Sequence, residues 1–178
     1  LRENREDRFA AIQPVEKKEY YPLSSAQKRL YIIHQLDRGG LAYNMPQVLP
    51  LGTRVEPGMF ERVMKLLIER HESLRTSFRV IGKETVQVVH DSVDFRIDFY
   101  QSRSEAAAFS RPFDLERAPL LRAAILRPED EAEQGDIFLA DMHHIITDGV
   151  SMGILVDDFV KLLEGHSLEP LDIQYKDF

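Results

Sequence analysis

The chain contains no cysteine. That excludes a disulfide framework, a thiol nucleophile and a cysteine-based zinc site, and it fits a reducing cytoplasm. No apolar run approaches the ~20 residues needed to cross a bilayer, so no membrane helix is expected. The opening "LRENREDRFA" lacks the apolar core of a secretion signal. Positive charge is in deficit: 23 Lys and Arg stand against 30 Asp and Glu, a net charge of −7. A nucleic-acid surface needs a basic stripe, so such a partner is not expected. Glycine-rich phosphate fingerprints are missing too, since "GG" at 39 and 40 does not continue as a phosphate loop.

What is there is globular material. The chain has 178 residues, 43% hydrophobic and 30% charged. That suffices for one domain with a core, or for one lobe of a larger domain. Residues 1–19 are charged, lack a sustained apolar period and read as a linker. In "LSSAQKRLYIIHQL", Ser24 or Ser25 can cap a helix whose apolar positions are Ala26, Leu30, Ile33 and Leu36. "MPQVLPL" carries prolines, which suits a short edge strand. Pro57 opens a second helix with Phe60, Val63, Met64, Leu67 and Ile68 on one face. Strands follow on either side of the "GK" turn at 82 and 83, which predicts a hairpin. "FRIDFY" alternates as a further strand, and "SEAAAFSR" is helical. "LLRAAILR" and "DIFLADM" are strands flanking an acidic loop at 129–136, expected to be solvated. A last helix runs through "SMGILVDDFVKLL" and stops at Gly165. The order predicts an α/β chain, more closely an α+β two-layer sandwich with a mixed sheet flanked by helices.

The stretch "MHHIITDGVS" (142–151) is the least ordinary. It pairs two of only six histidines at the end of an apolar strand. A metal site, a catalytic base and a packing role are the candidates. Successive strand side chains point to opposite faces, so His143 and His144 are not expected to share one metal ion. One histidine then faces a cleft and the other packs inward. Gly149 would permit a positive φ or a close backbone approach at the turn. The amides opening the last helix carry partial positive charge. A neutral imidazole beside them is a base-plus-oxyanion arrangement. Asp148 could accept a proton from an imidazole, pair with an arginine, or cap the helix.

"HHIITDG" resembles the HHxxxDG signature of condensation domains from non-ribosomal peptide synthetases, members of the chloramphenicol-acetyltransferase-like acyltransferases. Three more stretches resemble that family's motifs in the same order: "SSAQKRLY" (24–31), "RHESLRTSF" (70–78) and "YKDF" (175–178). The resemblance implies an N-terminal lobe over 20–178, whose C-terminal lobe would lie beyond residue 178. It implies amide formation between a donor acyl or peptidyl thioester and an acceptor aminoacyl thioester. Both would ride on 4'-phosphopantetheine arms of upstream and downstream carrier domains, beside an adenylation domain. No cofactor would be held by the lobe itself.

By the same resemblance, His144 orients or deprotonates the amine, His143 supports it and Gly149 leaves room for substrate. Asp148 would pair with Arg75, or failing that with Arg70, to fix the turn. Ser151 would bond the pantetheine arm or cap the helix. His71, Glu72, Gln27 and Arg29 are expected to be structural or solvated, and His34, His90 and His166 ordinary. The residues flanking the signature look most like the type joining L-configured donor to L-configured acceptor. Epimerisation or transfer from a CoA thioester on the same fold, and an inert carrier-docking lobe, are the competing readings.

Overall fold

A computed structural model describes residues 12–128 and 135–178; the start of the expected linker and most of the acidic loop lie outside the described residues. Helix α1 (Ser25–Leu36) opens with a capping box: the Ser24 hydroxyl accepts from the Gln27 amide, and the Gln27 side chain accepts from the Ser24 amide. Its orientation corrects the expected stripe. Gln27, Tyr31 and His34 face the interior, while Ile33 and Leu36 are 41% and 83% exposed. The polar side chains win the inner face because each finds a partner there, Gln27 in the cap and His34 against another imidazole ring.

Helix α2 (Pro57–Arg70) buries the apolar face read from the sequence. Pro57 sits in its first turn, where no amide partner is needed, and the Glu56 side chain accepts from the Gly58 amide. A 3₁₀ turn over Glu72–Arg75 leads into strand β3 (Thr76–Ile81), which pairs with β4 (Glu84–Val89) across Gly82 at φ 65°. A two-residue strand, β1 (Tyr21–Pro22), adds to β4.

Among the described residues the strands form two sheets rather than one. The first has the order β1-β4-β3 and is antiparallel. The second has the order β2-β7-β6-β5, with β2 (Gln47–Pro50) at one edge beside β7 (Ile137–Met142). Strand β5 (Asp98–Tyr100), shorter than "FRIDFY" suggested, lies parallel to β6 (Leu121–Leu126) at the other edge, which makes this sheet mixed. The helical segment after β5 is a single turn, α3 (Arg103–Ala106). Helix α4 (Gly149–Leu163) packs on α2. Phe60, Phe138 and Phe159 meet at 5.4–5.7 Å between centroids and tie α2, β7 and α4 together. Among the described residues no helix is long and apolar enough to cross a membrane.

One acidic residue expected in solvent is not there. Asp136 is 1% exposed, takes two bonds from Arg127 at 2.8 and 2.9 Å, and accepts from the Val55 amide. A bidentate arginine and a backbone amide satisfy the carboxylate, which is what permits its burial.

Candidate functional site

Strand β7 ends at Met142, and the chain continues through His143 and His144 before turning into α4. The two rings part, as alternation requires. His143 is 2% exposed, with its ring against His34, Phe113 and Tyr43 at centroid distances of 5.3, 6.2 and 6.4 Å. Its Nδ1 accepts from the Ile145 amide at 3.1 Å, so the neutral ring carries its proton on Nε2. Desolvation holds its pKa down to about 4, and the neighbouring His34 and His144 oppose a second charge. His143 is therefore a neutral structural group that shapes the turn.

A pH dependence follows. The unfolded imidazole, near 6.5, protonates before the folded one, near 4. Stability is complete above about pH 6.5 and is lost as the pH falls toward 4, by on the order of 3 kcal/mol for a shift of this size. Denaturant melts at pH 7 and pH 4.5 check it. His143→Gln should lose clearly less stability between the two than the unaltered chain, and equal losses would contradict the assignment.

His144 faces the other way. Its Nδ1 lies 2.7 Å from the Thr147 carbonyl oxygen, which can only accept. Nδ1 thus holds the proton and Nε2 keeps a free lone pair. The ring is half-buried and lines a cavity of about 280 Å³. That cavity gathers all four sequence stretches. Ala26, Gln27 and Leu30 come from the first, and His71 and Ser73 from the second. His144 through Asp148 come from the third, and Tyr175 and Phe178 from the fourth. The Tyr175 hydroxyl meets the Ser24 hydroxyl at 2.9 Å, closing the wall.

Gly149 behaves differently from expectation. It does not adopt a positive φ, and a Cβ placed there would meet nothing within 4 Å. Asp148 caps α4, accepting from the Ser151 amide at 2.8 Å, and that bond holds its carboxyl below the ordinary carboxylate range. Ser151 also lines the cavity.

The expected arginine partners of Asp148 lie elsewhere. Arg75 donates to the His90 carbonyl at 2.7 Å and stands 3.7 Å from Glu72. Arg70 Nε donates to Asp158 Oδ2 at 2.8 Å, an oxygen shared with His71 Nε2 at 2.8 Å. Asp148 is exposed at the start of a helix, so free amides are its nearest strong donors. Asp148→Ala should therefore cost about 1 kcal/mol, the value of an N-cap. In a double-mutant cycle with Arg75→Ala the coupling should stay under about 0.5 kcal/mol. A coupling of about 2 kcal/mol would reinstate the pair.

Two residues were undervalued from the sequence. His34, read as ordinary, supports the buried ring of His143 edge-on. Gln27, read as solvated or packing, is 3% exposed and reaches the cavity. Both lie on the inner face of α1 with Tyr31, a helical repeat that a search for apolar residues alone passes over.

A mixed α/β fold here presents one imidazole from a strand end, over a cavity and beside a helix start, with its unprotonated nitrogen available to a group bound there. A family model for the condensation domain matches residues 17–178, and the chain belongs to that family. It is 46% identical over 179 residues to tyrocidine synthase 3 of Brevibacillus parabrevis, covering 98% of this chain and 3% of that protein. It is 49% identical over 172 residues to bacitracin synthase 2 of Bacillus licheniformis, covering 94% of this chain and 6% of that protein.

Among solved structures, the X-domain in complex with OxyB from teicoplanin biosynthesis superposes with a TM-score of 0.81 at 22% identity, over 94% of this chain and 39% of that one. The starter condensation domain of rhizomide synthetase RzmA gives a TM-score of 0.70 at 21% identity, over 88% of this chain and 42% of that one. These likenesses place the chain in the chloramphenicol-acetyltransferase-like fold.

Proposed function

We propose that this chain is the N-terminal lobe of a condensation domain in a non-ribosomal peptide synthetase, preceded by a linker through residue 19, and that the complete domain forms amide bonds. The observation that carries the reading is the unprotonated Nε2 of His144, without a hydrogen-bond partner among the described residues, on a cavity where four separate sequence stretches converge. The acceptor amine attacks the donor thioester carbonyl. A C–N bond forms, the C–S bond breaks, and the thiolate of the donor's pantetheine arm leaves with the electron pair. The proton lost by the amine passes to that sulfur. An α-amine and an imidazole titrate near ~8 and ~6.5, close enough for an imidazole to hold the amine and accept its proton near neutral pH.

Ser151 is proposed to bond a pantetheine arm, a reading supported by its position on the cavity wall at the start of α4. Upstream and downstream carrier domains bring the two thioesters, an adenylation domain loads the acceptor, and a C-terminal lobe completes the walls. The chain spans only 39–42% of the solved chains cited above, the share expected of one lobe out of two. The cysteine-free composition suits work in the cytoplasm.

The test supplies donor- and acceptor-loaded carriers to the complete domain and to the 178-residue chain. The complete domain should build the longer thioester on the acceptor carrier, and the chain alone should build none. Turnover by the chain alone would overturn the two-lobe reading, and no product from the complete domain would overturn the activity.

A further inference from the structure

The backbone of His143 and His144 is held from both sides. The His143 amide donates to the Leu120 carbonyl at 3.0 Å, on the β6 side. On the other side a strap through Tyr43–Met45 runs antiparallel to it. The His144 amide donates to the Tyr43 carbonyl at 2.8 Å, the Met45 amide donates to the Met142 carbonyl at 2.8 Å, and Asn44 is bridged to His143. The strap lies outside the regular strands, between the end of α1 and β2. Something must fix it.

Asn44 does so through its side chain. Its Nδ2 donates to Asp141 Oδ2 at 2.7 Å and to the Arg111 carbonyl at 3.0 Å. Asp141 is fully buried on β7, two residues before His143, and its Oδ2 also faces Arg122 at 3.4 Å. Arg122 is anchored in turn: its guanidinium lies 3.7 Å over the Phe113 ring and donates to the Phe109 and Arg111 carbonyls. Phe113 is itself one wall of the His143 pocket. The network therefore couples the strap, the strand that delivers the histidines and the packing behind them. It does so without reaching the cavity, because Asn44, Asp141 and Arg122 are absent from its walls.

We propose that Asn44, locked by Asp141 and Arg122, is a positioning residue that aims His144 by holding the Tyr43 carbonyl against the His144 amide. The inference rests on the reading of His144 given above. A reacting group displaced by ~1 Å can lose as much as ~10²-fold in rate. A strap that loses its lock while its backbone bonds persist should cost less than that.

The experiment uses the complete domain with loaded carriers. Asn44→Ala should lower kcat by about tenfold while KM for the acceptor carrier stays within about twofold. Nitrogen-15 NMR of labelled histidine should report His144 moving from a single Nδ1–H tautomer to a mixture. Asn44→Asp keeps the volume but sets an acceptor against Asp141, and should show the same kcat loss. Adding Asp141→Asn to it restores a donor across the same gap and should recover most of that loss.

Unchanged kcat in both single variants, a loss carried by KM, or an unshifted His144 tautomer would overturn the proposal. His144→Ala in parallel separates the two claims. If it is inactive while the Asn44 variants are fully active, only the positioning role fails; if it is active, the reading of the site fails.

Discussion

Replacing His144 with alanine in the complete domain should lower condensation by about 10²- to 10⁴-fold, the span covered by positioned acid–base groups. The fold should survive it. The ring is half-buried, and its Nδ1 donates to the Thr147 carbonyl. Deleting it leaves that carbonyl beside a cavity that water can enter. The stability loss should then stay near ~1 kcal/mol. Single-turnover transfer between loaded carriers, with a thermal melt alongside, separates the two effects. Normal product formation by the variant would remove His144 from the mechanism. His143→Ala should behave in the opposite sense, because its ring is packed on three sides and its loss opens a void. There the melting temperature should fall first and activity follow it.

The second large effect is expected at Asp158, outside the reacting centre. Its carboxylate is 6% exposed, and one oxygen holds both Arg70 and His71. This junction ties the end of α2 to α4, and His71 is also a wall of the cavity. Asp158→Ala removes the carboxylate from an Arg70 guanidinium that, among the described residues, keeps only its bond to the Glu169 carbonyl, and takes the same oxygen from the His71 imidazole. Breaking a buried ion pair from one side costs about 3–5 kcal/mol. For a chain of this size that corresponds to a fall of roughly 10 °C in melting temperature.

Asp157 is a matched control. It is one residue away, 62% exposed at its side chain, and paired with Lys161 at i,i+4. Asp157→Ala should cost about 0.5 kcal/mol or less. Equal melting temperatures for the two variants would show that the Arg70–Asp158–His71 junction carries no stability.

The particular elements show what could be read in advance and what could not. Helix α2 was legible because its five buried residues are all apolar and helically spaced, and Pro57 marks its start. The β3–β4 hairpin was legible from the glycine at its turn. Helix α1 was legible as a helix but not in its orientation, because its inner face is built from a glutamine, a tyrosine and a histidine. Hydropathy cannot rank those above Ile33 and Leu36, whose exposed face shows how much the orientation depends on specific polar partners.

The separation of the strands into two sheets, and the parallel pairing of β5 with β6, depend on long-range pairing that alternation does not encode. At the site, strand alternation predicted that one histidine of the pair would turn inward and the other outward, and the resemblance to the family's motif assigned the outward place to His144. The arginine assigned to Asp148 did not hold, since a helix start offers amides within one turn and an arginine must be brought from another element. Asp136 shows the same limit from the other side: in sequence it belongs to an acidic loop, and only Arg127 and the Val55 amide make its burial possible.

In the proposed reaction the Nε2 of His144 meets the attacking amine. A crystal structure of the complete domain with an aminoacyl-pantetheine mimic, its thioester replaced by a stable amide, should show the amine nitrogen within hydrogen-bond distance of His144 Nε2, about 2.7–3.2 Å. An ordered amine held by other groups, with His144 Nε2 turned to water or to protein, would contradict it.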